Sequence, residues 1–196
     1  MKQERTLSIE GKEYTLLISD EPQALLEAKA SGRAVLGCLD TGNGEGASRD
    51  FQGIPYVVPS MEYVTEELLE LILRRYLGLP WLIDETERLY IREFVKEDAE
   101  NIPEEEYGKE EEIFRDPDKL EVYIKNQYGF YEYGTWAVLK KSPSLLIGMA
   151  GASNPNLPET ALQALPTLPD DLCWLELGYH IFKPYRKNGY ATEAAK

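Results

Sequence analysis

The stretch from Trp174 to Lys196 limits the possible folds of this chain more than any other part. Alternating apolar residues up to Phe182 predict a β-strand, Pro184 ends it, and a short glycine-bearing turn leads into a helix start at Thr192. A junction of this kind directs unpaired backbone N–H groups and the positive end of a helix dipole to one point. The sequence therefore predicts either a site for a phosphate or diphosphate group or a purely structural turn.

Particular residues in this stretch favour a ligand site. The run ELGYHI at 176–181, followed by Arg186, Gly189 and Ala191, resembles the acetyl-CoA motif of the GNAT superfamily of N-acetyltransferases, Q/R-x-x-G-x-G/A. It is most similar to the subgroup that acetylates ribosomal-protein N-termini and to its relatives that act on small amines. A second segment, ETERLYIREFVKEDAE at 85–100, is typical of the N-terminus of the same subgroup.

The resemblance implies a set of site residues. Backbone N–H groups of the turn would hold the diphosphate of acetyl-CoA, and nearby positive side chains would supply charge. The implied cofactor contacts are Arg186, Lys187, Asn188, Gly189, Tyr190, Ala191 and Thr192. Glu176 is the implied general base; alternatively it is a half-buried carboxylate that pairs with Arg186 or Lys183. His180 is four residues after Glu176, so the two side chains are expected on the same face of the strand.

The acceptor side is less defined by the sequence. Apolar residues at helical spacing predict a helix over 117–127, followed by an aromatic-rich loop. Aromatic rings suit a concave site, so Tyr131 and Tyr133 in that loop are candidate pocket residues. The acidic run from Glu104 to Glu112 either attracts an amine or is a solvated surface. The proline-rich segment 154–171 predicts a protruding flap with a helical turn at 160–165.

The charge and the cysteine content limit the kinds of binding partner and the cellular compartment that we expect for this protein. With 21 basic and 35 acidic residues the formal net charge is −14, which disfavours binding to nucleic acid or anionic membranes and favours basic amines, or simply keeps the protein soluble. Cys38 and Cys173 lie in apolar runs and are expected to be reduced core residues of a cytoplasmic protein. Residues 1–14 are polar and lack the apolar h-region typical of a signal peptide, and the printed sequence has no run of about 18 apolar residues. One histidine and two cysteines do not suffice for a common zinc site, so no metal is expected.

Residues 1–83 form a different pattern, predicted to be a small α/β module with some parallel strand pairing. Strands are expected at 14–20, 33–40 and 54–58, helices at 21–31 and 65–79, a glycine-rich loop at 41–53, and a linker at 78–85. Asp20 is expected to cap the first helix. The segment 18–40 is also similar to a piece of haloacid-dehalogenase-type phosphatases, but their Asp-x-Asp nucleophile motif is missing.

These features together predict an α/β protein, with an α+β mixed sheet, in which residues 84–196 form part of a GNAT acyl-CoA N-acyltransferase fold. The resemblance implies acetyl transfer from acetyl-CoA to a primary amine on a small molecule or a protein N-terminus. Family members continue beyond the motif helix, so the sequence predicts a fragment of a longer domain that is inactive alone or completed by another chain. A non-catalytic binding or regulatory module is the alternative, and a homodimer stays open.

Overall fold

The computed structural model describes residues 1–40, 50–104, 110–162, 164–169 and 172–196. The chain folds into two compact units, Met1–Trp81 and Leu82–Lys196, each with its own sheet and helices. This mixed α/β architecture confirms the predicted fold class. Most of the expected glycine-rich loop, residues 41–49, lies outside the described residues, as do residues 105–109 of the acidic run.

The first unit is a four-stranded sheet in the order β1-β2-β3-β4, in which β1 is antiparallel to β2 and the other pairs are parallel. A crossover helix joins β2 to β3, as parallel pairing requires. Buried residues from the strands and from the last helix form its main core. The elements are β1 Lys2–Ile9, β2 Lys12–Ser19, α1 Pro22–Ala30, β3 Ala34–Asp40, β4 Val57–Ser60 and α2 Glu66–Tyr76.

Three expectations for this unit need correction. Strand β1 was not predicted, because its polar residues hide the pattern; a tight turn at Glu10 and Gly11, both with positive φ, pairs it with β2. The third predicted strand begins later, at Val57, since Pro55 has no N–H to donate to a ladder. Asp20 does not cap α1, whose N-cap is Glu21; the buried Asp20 carboxylate pairs with the α-amino group of Met1 instead.

The second unit is built on a five-stranded antiparallel sheet in the order β5-β6-β7-β8-β9. Short 3₁₀ turns lie at Lys96–Asn101, Glu110–Phe114 and Lys183–Tyr185. The main elements are β5 Leu82–Glu85, β6 Leu89–Arg92, α3 Pro117–Tyr131, β7 Thr135–Lys140, β8 Leu145–Ser153, α4 Glu159–Leu162, β9 Glu176–Ile181 and α5 Tyr190–Ala194.

Alternate residues of the central strands pack against different helices, as a pleated sheet dictates. Ala137 and Met149 face a cluster that includes Leu120 of α3. Val138 and Ala150 face a second cluster that includes Tyr190 of α5. The sheet is therefore covered on one face by α3 and on the other by α5.

The second unit also departs from expectation at particular positions. The predicted linker 78–85 includes strand β5 from Leu82 onward. Helix α3 runs on to Tyr131 and ends at Glu132, which has a positive φ, so Tyr131 belongs to the helix rather than to a loop. Cys173 is exposed and not part of a core, whereas Cys38 is buried as predicted. In the described part of the chain, no helix is both long and apolar enough to cross a bilayer.

Candidate functional site

The turn between β9 and α5 has a distinctive backbone. After β9 ends, Phe182 is anchored in the core, and its N–H donates to Ile147 O at 2.9 Å. Lys187 and Gly189 then adopt positive φ values of 63° and 81°. Two left-handed residues this close together reverse the chain sharply, so that α5 begins directly beyond Gly189.

The backbone N–H groups of this turn do not take part in the hydrogen-bond ladders of the sheet. Within the described ranges, no main-chain carbonyl accepts a hydrogen bond from the N–H groups of residues 187 to 192. The last of these groups belong to the first turn of α5, where helix geometry leaves N–H groups without intrahelical partners. Their dipoles give this corner of the molecule a partial positive charge.

Side chains of the turn hold its shape. The Asn188 amide nitrogen donates to Tyr185 O and to Arg186 O, each at 3.0 Å. Arg186 donates from Nε to Ile181 O at 2.7 Å, and its Nη2 lies 3.2 Å from His180 Nε2. Because guanidinium can only donate, His180 Nε2 is assigned as the acceptor in this contact. Arg186 therefore ties the turn to the end of β9.

A second set of contacts reaches the turn from the β5–β6 hairpin. Arg88 donates from Nε to Glu193 Oε2 at 2.6 Å and from Nη1 to Asn188 O at 3.0 Å. Thr86 Oγ1 also donates to Glu193 Oε1, at 2.6 Å. Burial alone would raise the pKa of Glu193, but the hydrogen bonds from Thr86 and Arg88 outweigh it and hold that pKa below its ordinary value.

Glu176 lies at the opposite end of β9, where it pairs in register with Ser153. Its side chain is exposed rather than half-buried, and its Oε2 accepts a hydrogen bond from the backbone N–H of Asn156 at 3.3 Å. The predicted pairing with Arg186 is not the arrangement observed, since that guanidinium contacts Ile181 and His180. Glu176 thus presents a carboxylate at the surface, about 16 Å along the strand from the other end of β9 at Ile181, beyond which the turn follows.

The two candidate tyrosines lie near the same end of the sheet as Glu176. Gly134, next to Tyr133, accepts a hydrogen bond from Ala152 N, one residue before the partner of Glu176. Tyr133 donates to Asn154 Oδ1 at 2.9 Å, and its ring centroid lies 5.7 Å from that of Tyr131. The segment that starts at Asn154 therefore contacts both Tyr133 and Glu176.

Sequence reasoning did not identify Arg88 as part of this site. Arg88 and Glu193 are separated by 105 residues, and neither local periodicity nor spacing relates them. Only the paired occurrence of the two segments that resemble the GNAT motifs suggested that these regions belong to one domain. The contact itself required the structure.

Comparison with known proteins agrees with this geometry. The family model described as "Acetyltransferase (GNAT) domain" matches residues 88–196, a segment that starts at Arg88 and includes β9, the turn and α5. A comparison with curated proteins found no match. In the described residues, no group of three or more His, Cys, Asp or Glu side chains is placed to hold a metal ion. Because the match covers more than half of the chain, this protein belongs to the GNAT acetyltransferase family.

Proposed function

We propose that the second unit transfers an acetyl group from acetyl-CoA to a primary amine, on a small molecule or a protein N-terminus. The observation that carries this proposal is the run of N–H groups from 187 to 192, for which the described part of the chain supplies no main-chain acceptor, in a chain of this family. The resemblance to the subgroup that acetylates ribosomal-protein N-termini supports the choice of acceptor class. A reducing, cytoplasmic setting fits Cys38 and Cys173, neither of which forms a disulfide within the described residues.

The turn fits the diphosphate end of acetyl-CoA. Backbone N–H groups at the start of α5 suit an anion, and the dipole adds to the attraction. Gly189 leaves the approach open: among the described residues, a Cβ added there would meet a single atom within 4 Å, Arg88 Nη2 at 3.5 Å. The nearby positive charges of Arg186 and Lys187 would further favour a dianion.

The chemistry would take place at the other end of β9. The acceptor nitrogen attacks the thioester carbonyl carbon and the C–S bond breaks. The leaving thiolate takes up a proton from water or the one that the amine has lost, so that an amide and a thiol result. Glu176 would accept the proton released by the attacking amine, directly or through water. Its exposure allows an acceptor to reach it, and the length of β9 separates it from the turn as the long arm of acetyl-CoA separates thioester from diphosphate.

Amide hydrogen exchange in the presence and absence of coenzyme A tests the cofactor assignment. We expect coenzyme A to slow exchange at residues 187–192 in the wild-type chain. Gly189→Val should abolish this protection, because a β-branched residue at φ 81° is strained and would block the approach. Gly78→Val is the matched control, since Gly78 has a φ of 72° and open space around it in the first unit. Equal protection in wild type and Gly189→Val would contradict the assignment.

The role of Glu176 is tested by Glu176→Gln. Loss of a general base should lower kcat by about 10²- to 10⁴-fold while acetyl-CoA binding stays unchanged. Glu100→Gln, another exposed glutamate of the same unit, serves as the control and should keep wild-type turnover. Turnover unaffected in Glu176→Gln would show that Glu176 is not the base, and turnover absent in the wild type with acetyl-CoA bound would favour a binding module.

A further inference from the structure

Arg88 contacts the turn and α5 at several points at once. Its guanidinium pairs with Glu193 through Nε and Nη2, at 2.6 and 2.5 Å, and its backbone N–H donates to the other carboxylate oxygen at 2.9 Å. The guanidinium carbon lies 4.5 Å from the ring centroid of Tyr190. Nη1 donates to Asn188 O at 3.0 Å. Arg88 thus holds residues on both sides of Gly189.

The contact with Asn188 O has a directional consequence. The peptide bond between Asn188 and Gly189 is planar and trans, so its C=O and N–H groups point in opposite directions. Because the carbonyl points to Arg88, the Gly189 N–H points away from Arg88. The next peptide is fixed in a similar way, since Gly189 O accepts from Glu193 N at 3.0 Å, which turns the Tyr190 N–H outward.

The same contacts argue that Arg88 does not itself bind the anion. The Glu193 carboxylate neutralises its charge, and three of its nitrogens are engaged by Glu193 and Asn188. The planar guanidinium group of Arg88 donates two hydrogen bonds from one edge to the carboxylate, which fixes its orientation. The ammonium group of a lysine cannot form this two-point contact. The arrangement is suited to orient other groups.

We propose that Arg88 is a positioning residue for acetyl-CoA: by holding Asn188 O, Glu193 and the Tyr190 ring together, it aims the N–H groups of the turn at the diphosphate. This inference rests on the proposed function and adds a residue from a distant hairpin to it. The β5–β6 hairpin therefore sets the geometry of the cofactor turn without touching the cofactor.

The test compares Arg88→Met, which keeps the length of the side chain, with Arg88→Lys and with Arg92→Met. Arg92 forms a bidentate pair with Asp98 at 2.7 and 2.9 Å in the same unit, so its variant controls for the loss of an arginine–carboxylate pair elsewhere. Three quantities are measured on each full-length protein: the Kd for acetyl-CoA, amide exchange at 187–192 without ligand, and the melting temperature.

We expect Arg88→Met to weaken acetyl-CoA binding by roughly 10- to 100-fold, because misplacement of positioned groups by about 1 Å can cost as much as about 100-fold. Its free form should exchange faster at 187–192 than that of Arg92→Met. Arg88→Lys should recover only part of the affinity, because it keeps the charge but not the two-point contact. If Arg88→Met does not fold, the same comparison is made with Arg88→Lys alone.

The outcomes separate this inference from the proposed function. Wild-type-like affinity and exchange in Arg88→Met, beside strong binding by the wild type, would overturn the positioning role and leave the function standing. A lowered melting temperature with unchanged Kd would show that Arg88 is only structural. Absence of acetyl-CoA binding by the wild-type chain would overturn both.

Discussion

Lys187 holds a left-handed backbone conformation, with φ of 63°, that residues other than glycine adopt infrequently. The left-handed region brings Cβ close to the following carbonyl oxygen, at a cost of roughly 1–2 kcal/mol. The turn thus keeps a positive side chain beside the proposed diphosphate site at the expense of local backbone strain.

Replacing Lys187 by glycine relieves that strain. We expect Lys187→Gly to raise the free energy of unfolding by up to about 1 kcal/mol, the relief less the entropy lost by a glycine. Lys187→Ala is the matched control, because it removes the same charge and keeps a Cβ; it should bring no gain. Urea unfolding of the three proteins measures the difference, and an equal effect of glycine and alanine would rule out backbone strain as the cause.

At the scale of elements, the glycines of β8 let neighbouring strands come unusually close. A Cβ on Gly151 would lie 2.1 Å from Gly134 O and 2.6 Å from Thr135 Cα, both backbone atoms that cannot move aside. Its register partner on β9 is Gly178, where an added Cβ would meet no atom of the described residues within 4 Å. Two glycines that face each other across the ladder therefore have different reasons to be there.

This pair supplies its own control for a stability measurement. We expect Gly151→Ala to lower the free energy of unfolding by about 1–3 kcal/mol or more, because overpacking forces the backbone apart. Gly178→Ala should leave stability unchanged or raise it by roughly 0.5–1 kcal/mol, since alanine loses less entropy in a strand. Equal losses in the two variants, seen as equal shifts of the urea midpoint, would contradict the claim that the backbone of residues 134 and 135 leaves no room for a Cβ at Gly151.

At the scale of the whole molecule, the chain has separate hydrophobic cores. Leu16, Ile18 and Leu36 are completely buried in the first unit, and Leu89, Val138 and Ile147 are completely buried in the second. Each core is closed by elements of its own unit. The residues of the proposed chemistry lie wholly in the second unit.

A core substitution in the first unit tests whether the units are energetically separate. We expect Leu36→Ala to destabilise the first unit by about 2–5 kcal/mol, the usual range for truncating a buried leucine. Amide exchange should then accelerate in β2 and β3 and stay unchanged in β7 and β8, with acetyl-CoA affinity preserved. Ala152→Gly, a smaller change in the second unit, checks that exchange in β8 can respond. Acceleration in both sheets after Leu36→Ala would show that the units unfold together.

The sequence alone was sufficient for features that depend on neighbouring residues. The alternation that ends at Phe182, the break at Pro184 and the glycine of the turn are local, and so the strand, turn and short helix could be predicted, together with the family to which they belong. The helix begins at Tyr190, two residues before the predicted start at Thr192. The helical stripe that begins at Pro117 was equally readable, although its end at Tyr131 was not.

Tertiary structure decided everything that depends on which distant segments meet. Asp20 pairs with the amino group of Met1 rather than capping a helix, and strand β1 exists because β2 offers it a partner. Arg88 reaches Glu193 across 105 residues because the folded sheet brings a hairpin and a helix together. Local sequence sets backbone preference through sterics and hydrogen bonding over a few residues, whereas these contacts form only when hydrophobic burial has fixed how the elements pack.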